Sequence, residues 1–297
     1  MKVHSIYPGD KVGLVSAAGP VTKVQVQQGL DFLATNGLEY EIGNYAFENA
    51  GIVSASVEKR LEDIHIFIER DDVKAVWALR GGYGSVQLFE DFDYNLLKQH
   101  PKLFIGFSDI TALQWAIFQK TGIPSFSGFT LTMQLNQKNP YAQIGLKMLS
   151  GEKTSITEKD ISEQLQVITP GKVEGTLIGG TLTMICSICG TPYFVENDNL
   201  ILFIEDVDEP LYRIDRCLQQ LKLMKFWDRV KGVILGQFLY EGSFLDVVSL
   251  IKPLLPLTTP IIANFPYKHK RDSIPLFQGV QVQFNANPFE LIWDHFL

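Results

Sequence analysis

The chain has 297 residues, 46% of them hydrophobic, and a net charge of −7, enough apolar content for one large or two modest domains. Acidic and basic residues are interspersed without a basic stripe, which argues against a nucleic-acid partner. No apolar run approaches the ~20 residues that span a bilayer. The opening "MKVHSIYPGDKVGLVSAAGP" lacks the apolar core of a secretory signal, so a soluble cytoplasmic protein is expected. Three cysteines, Cys186, Cys189 and Cys217, are an odd set for a disulfide framework. Cys186 and Cys189 share a C-x-x-C spacing, but a zinc site needs four ligands and no second pair exists. They read as small residues on an apolar helix.

The first half alternates strands and helices. "KVGLVSAA" is a buried strand, and "VTKVQVQQGLDFLATNG" a helix that stops at Gly37. "SASVEKRLEDIHIFIERDDV" places Val57, Leu61, Ile64 and Ile68 on one helical face. "VKAVWALRGG" is a short strand entering a glycine turn. "SVQLFEDFDYNLLKQH" reads as helix, "KLFIGF" as strand and "DITALQWAIFQKTG" as helix. Repeated units of this kind predict a mostly parallel sheet covered on both faces, with ligands beyond the carboxyl ends of its strands. A polar stretch over 135–164 reads as a domain connection with some helix in it. The second half resumes with strands in "LQVITPGKVEGTLIGGTL", "LILFIED", "VKGVILGQF", "PIIANFP", "VQVQFNA" and "FELIWD". Helices are expected in "PLYRIDRCLQQLKLMKF" and "SFLDVVSLIKPLL". The expected division is 1–150, a linker over 151–164, and 165–297.

Chemistry concentrates at strand ends. In "GFSDI", Ser108 follows a buried strand. Ser-Asp is an ordinary helix N-cap pair; alternatively, the turn exposes a nucleophilic hydroxyl, as in a nucleophile elbow, although the second glycine of G-x-S-x-G is absent. A serine nucleophile needs a base. Of five histidines, His4 and His295 lie near the termini, His65 lies within an amphipathic helix, and His100 precedes a proline. His269 follows a buried strand in a loop and is the best base, with a solvated loop residue as its plainer role. Glu205 directly follows the apolar run of "LILFIEDVDEP", where a buried carboxylate needs a partner. With Asp206, Asp208 and Glu209 it forms a cluster of four acids, of which Asp208 and Glu209 suit a helix N-terminus; metal binding is the rival reading of the cluster. "LRGGYGS" offers Gly81, Gly82 and Gly84 for close backbone approach, as an oxyanion hole or a plain turn. It matches neither a P-loop nor a dinucleotide fingerprint, which argues against a nucleotide-binding oxidoreductase.

Taken in order, "VEKRLEDIHIFIERDDVKAVWALRGGYGS", "KLFIGFSDITAL", "GTLIGGTLT", "LFIEDVDEPLYRIDRCLQQL", "GVILGQF" and "PYKHKRDSIPLFQG" resemble the serine LD-carboxypeptidase family. That family includes muramoyl-tetrapeptide carboxypeptidases and the related microcin C immunity peptidases. The resemblance implies an α/β protein with a flavodoxin-like parallel-sheet N-terminal domain and a smaller α/β C-terminal domain, the site between them, and a homodimer. It implies a triad of Ser108, Glu205 and His269, with backbone donors at Asp109 and at Gly81 or Gly82, and no metal or organic cofactor. It departs from the family at Lys268, where glycine is usual, at Ser127-Gly128-Phe129 after the nucleophile helix, and at Thr181, where asparagine is usual. A lysine beside the imidazole is expected to depress its pKa.

The expected activity is release of the terminal D-alanine of a murein tetrapeptide during peptidoglycan recycling. Arg80, Lys268 and Arg271 are cationic candidates for the terminal carboxylate. The alternatives are an immunity-type peptidase acting on a peptidyl- or aminoacyl-nucleotide, marked by an aromatic platform, and a two-lobed small-molecule binding protein. The second alternative predicts no contact between Ser108 and His269.

Overall fold

The computed structural model describes residues 3–240 and 242–294; His295 lies outside them. The first lobe runs β1 (Lys11–Val15), α1 (Lys23–Thr35), β2 (Glu39–Ile42), α2 (Val57–Glu69), β3 (Val73–Ala78), α3 (Tyr94–Gln99), β4 (Leu103–Gly106), α4 (Ile110–Thr121), β5 (Ser125–Ser127) and α5 (Ala142–Leu149). The first two helices start at side-chain caps: Thr22 and Gln25 form a reciprocal capping box on α1, and Ser56 caps α2. Past Asn36, which caps the end of α1, Gly37 takes a left-handed conformation, which costs glycine nothing. The segment 85–100 does not form one helix. A short 3-10 turn over Ser85–Leu88 is followed, after a break, by α3. The break follows from Asp93, whose side chain accepts from the Leu96 amide and starts a new helix there.

The sheet of this lobe has the order β2-β1-β3-β4-β5, all parallel, the flavodoxin-like arrangement, whose topological switch point lies between β1 and β3. Ligands of such sheets gather beyond the carboxyl ends at that point. The "LRGGYGS" loop leaves β3 there, and "GFSD" leaves the neighbouring β4.

The second lobe comprises β6 (Ser155–Thr157), β7 (Gln166–Thr169), β8 (Lys172–Thr181), α6 (Leu182–Ser187), β9 (Leu200–Glu205), α7 (Leu211–Leu223), β10 (Val230–Leu235), α8 (Phe244–Ile251), β11 (Ile261–Ala263), β12 (Leu276–Gln278), β13 (Val280–Ala286) and β14 (Phe289–Trp293). All of these strands but β12 form its eight-stranded sheet, in the order β6-β14-β13-β8-β9-β10-β11-β7, with β8 to β11 parallel and antiparallel strands at both edges. The stretch 151–164 is therefore more than a connector: β6 pairs with β14 and buries Ile156. The chain also crosses back, because β12 pairs with β5 of the first sheet.

Helix α4 joins the lobes. It is apolar almost all round and buried along nearly its whole length, as a helix between two sheets must be. The indole N–H of Trp115 donates to the Gly179 carbonyl at 2.8 Å, and the Gln278 side-chain amide donates to that of Gln114 at 2.9 Å. Among the described residues no helix is long and apolar enough to cross a membrane.

Candidate active site

Strand β4 ends in Gly106, and the chain turns into α4 through Phe107, Ser108 and Asp109. Ser108 sits at φ +66°, a region that non-glycine residues enter at a cost and that clusters at functional sites. It does not cap the helix. Asp109 is the N-cap and makes no side-chain cap bond either. The strained backbone instead aims the Ser108 hydroxyl across the lobe boundary, where Oγ lies 2.8 Å from Nε2 of His269. The two-lobed binding-protein alternative predicted no such contact.

His269 follows β11. Its Nδ1 lies 2.6 Å from Oε2 of Glu205, the last residue of β9 and fully buried. The other carboxylate oxygen accepts from Thr181 Oγ1 at 2.7 Å. Ser108, His269 and Glu205, 161 and 64 residues apart in pairwise sequence separation, thus form one hydrogen-bonded line. Burial lowers the His269 pKa, but the Glu205 charge and hydrogen bond, with Asp206 and Asp208 behind, outweigh it and leave the pKa above its ordinary value. The expected depression by Lys268 does not occur. The Lys268 ammonium turns away from the imidazole to pair with Glu163 at 2.8 Å and Asp272 at 2.9 Å.

The ring of His269 is held by Phe107, whose centroid is 4.5 Å away. Phe107 in turn packs edge-on against Tyr267, and the buried Tyr267 hydroxyl lies 2.7 Å from that of Ser127. Sequence patterning missed Tyr267 and gave Thr181 no role. Both are buried polar side chains at strand ends, and only the partners identify them.

The glycine loop reaches the same place. A Cβ on Gly81 would stand 2.8 Å from Ser108 Cβ and 3.2 Å from its Oγ, so only glycine fits. Among the described residues, the amides of Gly81, Gly82 and Asp109 find no acceptor in the protein. Unpaired amides beside a hydroxyl are suited to receive an oxyanion.

Of the cationic candidates, Lys268 is 4% exposed and committed to its two carboxylates, which removes it as a free carboxylate anchor. Arg80 donates to the Pro20 carbonyl at 2.8 Å and lines a cavity of about 440 Å³ with Thr22, Lys23 and Phe47. Arg271 is exposed. A larger cavity, about 810 Å³, opens beside the His269 loop and is lined by Asp208, Glu209, Asp246, Tyr240, Leu239 and Lys270, among others. Three of its four charged lining residues are acidic, and one of these, Glu209, is paired with Arg213 at 3.0 Å.

The remaining candidates take plainer roles. His65 accepts from the Asp93 amide at 3.0 Å, and burial holds its pKa down. His100 caps α3. Asp206 accepts from the Thr183 and Val207 amides, and burial, then the Glu205 charge, pushes it up to about 7. Among the described residues no group of three or more His, Cys, Asp or Glu is arranged to hold a metal ion. The cysteines are free, and the buried Cys186 faces the Cys217 carbonyl.

Residues 12–128 match the model of the LD-carboxypeptidase N-terminal domain, and residues 174–284 that of the C-terminal domain. The chain belongs to the LD-carboxypeptidase family. A probable murein peptide carboxypeptidase of Bacillus subtilis (strain 168) is 35% identical over 293 residues, covering 96% of this chain and 92% of that one. A murein tetrapeptide carboxypeptidase of Pseudomonas aeruginosa is 33% identical over 235 residues, covering 77% of this chain and 76% of the other. Among solved structures, the microcin C7 self-immunity protein MccF in its apo state superposes with a TM-score of 0.89 over 100% of this chain and 99% of that one. At 24% identity this likeness speaks for the fold alone. The protein is an LD-carboxypeptidase-type peptidase with the two-lobed α/β fold of its family.

Proposed function

We propose that this protein is a serine carboxypeptidase that hydrolyses the L,D-peptide bond of a murein tetrapeptide and releases its terminal D-alanine. The observation that carries the proposal is the line Ser108 Oγ–His269 Nε2 at 2.8 Å and His269 Nδ1–Glu205 Oε2 at 2.6 Å, each within the reach that a nucleophile, base and orienting acid require. His269 takes the Ser108 proton as Oγ attacks the carbonyl of the L-centre. The tetrahedral oxyanion is received by the Asp109 amide and one from Gly81 or Gly82. His269 then gives the proton to the departing D-alanine nitrogen, and water, activated in the same way, releases the acyl group. Glu205, fixed by Thr181, holds the imidazole's orientation and stabilises its cation.

The acidic cavity beside His269 suits the free ammonium of a diamino acid at the L-centre, because Asp208, Glu209 and Asp246 outnumber Lys270 on its walls. Of the three cationic candidates, Arg80 and Arg271 remain for the terminal carboxylate, and Lys270 on the cavity wall joins them. A nucleobase would call for an exposed aromatic platform; Trp77, Trp115, Trp227 and Trp293 are all buried, which leaves that role to Tyr240 on the cavity wall and to the exposed Tyr83 and Tyr212.

The test is D-alanine release from murein tetrapeptide by the wild type beside Ser108→Ala. Release by the wild type alone supports the assignment. Equal release by both removes Ser108 as nucleophile. Release by neither, with both proteins folded, moves the substrate to peptidyl-nucleotides.

A further inference from the structure

We propose that Asp109 is a positioning residue, whose carboxylate sets the distance between the two halves of the oxyanion site by clamping the 81–85 loop to the Ser108 turn. This rests on the serine-peptidase assignment above.

The two halves come from different strand ends: Gly81 and Gly82 after β3, Asp109 after β4. Their link is a reciprocal pair. The Ser85 amide donates to Asp109 Oδ2 at 2.8 Å, and Ser85 Oγ donates back to the Asp109 carbonyl at 2.7 Å. Both residues are buried, Ser85 fully and Asp109 to 3% exposure. On its other side the loop is held by Arg60, also buried, whose Nη1 donates to the carbonyls of Gly84 at 2.9 Å and Ala17 at 3.1 Å. Its Nη2 donates to the Gln87 side chain at 2.6 Å.

A buried carboxylate is costly and persists only with partners. Asp109 uses none of its capacity on the helix it begins. Its bonds go to the loop that carries the opposing donors. The tolerance is small, because oxyanion donors act at 2.7–3.1 Å and the loop already lies against Ser108 so closely that no methyl fits at Gly81. Displacing the loop by a few tenths of an ångström would spoil the donor geometry while leaving substrate contacts elsewhere in place.

The experiment uses the full chain and an alkyl fluorophosphonate. Ser108 Oγ bonds to phosphorus, fluoride leaves, the proton passes to His269, and the developing phosphoryl oxygen needs the same donors. Adduct formation on Ser108 is followed by mass spectrometry over a range of probe concentrations, giving a limiting rate and a half-saturation concentration, with Tm recorded for each variant. Asp109→Ala, which removes the oxygen that accepts from the Ser85 amide, is expected to lower the limiting rate about 10- to 100-fold while half-saturation stays within about 2-fold. Ser85→Ala, which loses only the reciprocal bond to the Asp109 carbonyl, is expected to slow it less, in the same direction. A wild-type limiting rate in folded Asp109→Ala, or a loss carried wholly by half-saturation, overturns the clamp. If Asp109→Ala does not fold, Asp109→Ser, which keeps a polar group at the helix start but is too short to reach the Ser85 amide, takes its place, and a wild-type limiting rate there overturns it instead. A wild type that forms no Ser108 adduct overturns the nucleophile assignment itself, a result distinct from either.

Discussion

The turn that carries Ser108 and the loop that carries His269 meet at one hydrogen bond but are held by different means. Ser108 is fixed by backbone. Its φ is strained, Gly81 stands against it, and the residues on either side, Phe107 and Asp109, are buried. His269 is fixed by side chains: Glu205 on Nδ1, Phe107 against the ring, and a neighbour, Lys268, tied by ions to Glu163 and Asp272. Beyond it the loop opens to exposed Lys270 and Arg271. A nucleophile that must meet a carbonyl along one line gains from a rigid backbone, whereas a base that changes charge in each cycle needs a fixed partner for its cation. The difference predicts that changes on the Ser108 side act on chemistry at constant stability, and that changes around the His269 loop mix chemistry, pH dependence and stability.

The sharpest break is Ser108→Ala, which is expected to lower D-alanine release by about 10⁴-fold or more and leave Tm near wild type; kinetics beside thermal melting check both halves. Next is Glu205→Gln. It is expected to lower kcat by about 10³- to 10⁴-fold and to move the acid limb of the pH profile down. The sign follows from the imidazole. Its folded pKa lies above the usual value near 6.5, so base catalysis grows as pH rises through that raised value. Removing the Glu205 charge takes away the main influence that raises it. The same linkage makes the His269–Glu205 pair stabilising below about pH 6.5, a contribution lost as pH rises through the folded pKa. A stability profile of wild type against Glu205→Gln would show it.

Gly81→Ala tests the backbone side. Its methyl would meet Ser108 Cβ at 2.8 Å, and a loss of about 10²-fold in kcat is expected, with stability changed far less than activity. Asp208→Asn is expected to raise KM about 10-fold for a substrate whose L-centre carries a free ammonium and to leave KM for its acetylated analogue unchanged; equal effects on both would remove the acidic cavity from recognition. The smallest effect on chemistry is expected from Lys268→Met, whose signature is stability. Glu163 would keep its Tyr141 and Ser162 contacts but lose its ammonium, at a cost of up to about 3 kcal/mol. Burial raises the Glu163 pKa, and the bonds from Lys268, Tyr141 and Ser162 more than reverse this, leaving it below the usual carboxylate range. Its contribution is therefore present above about pH 4.3 and fades as pH falls through the lower folded value, so denaturant melts of wild type and Lys268→Met should converge in acid.

The sequence alone determined much of the alternating strand and helix order of the first lobe, because buried parallel strands read as short apolar runs and helices as periodic ones; the largely exposed β2 and the three-residue β5 carry no such run. It also singled out Ser108, Glu205 and His269, because chemistry-bearing side chains at the ends of apolar strands are few. Tertiary structure decided the rest. Asp109 looks like a helix cap in "GFSDI", and only the approach of Ser85 gives its carboxylate another use. Lys268 looks like a free cation in a basic loop, and only Glu163, 105 residues earlier, turns it inward. The return of β12 to the first sheet and the pairing of β6 with β14 have no local signal. Hydrophobic period and capping are short-range and written along the chain, whereas the partner of a buried charge or a strand edge is set by which distant segment packs there.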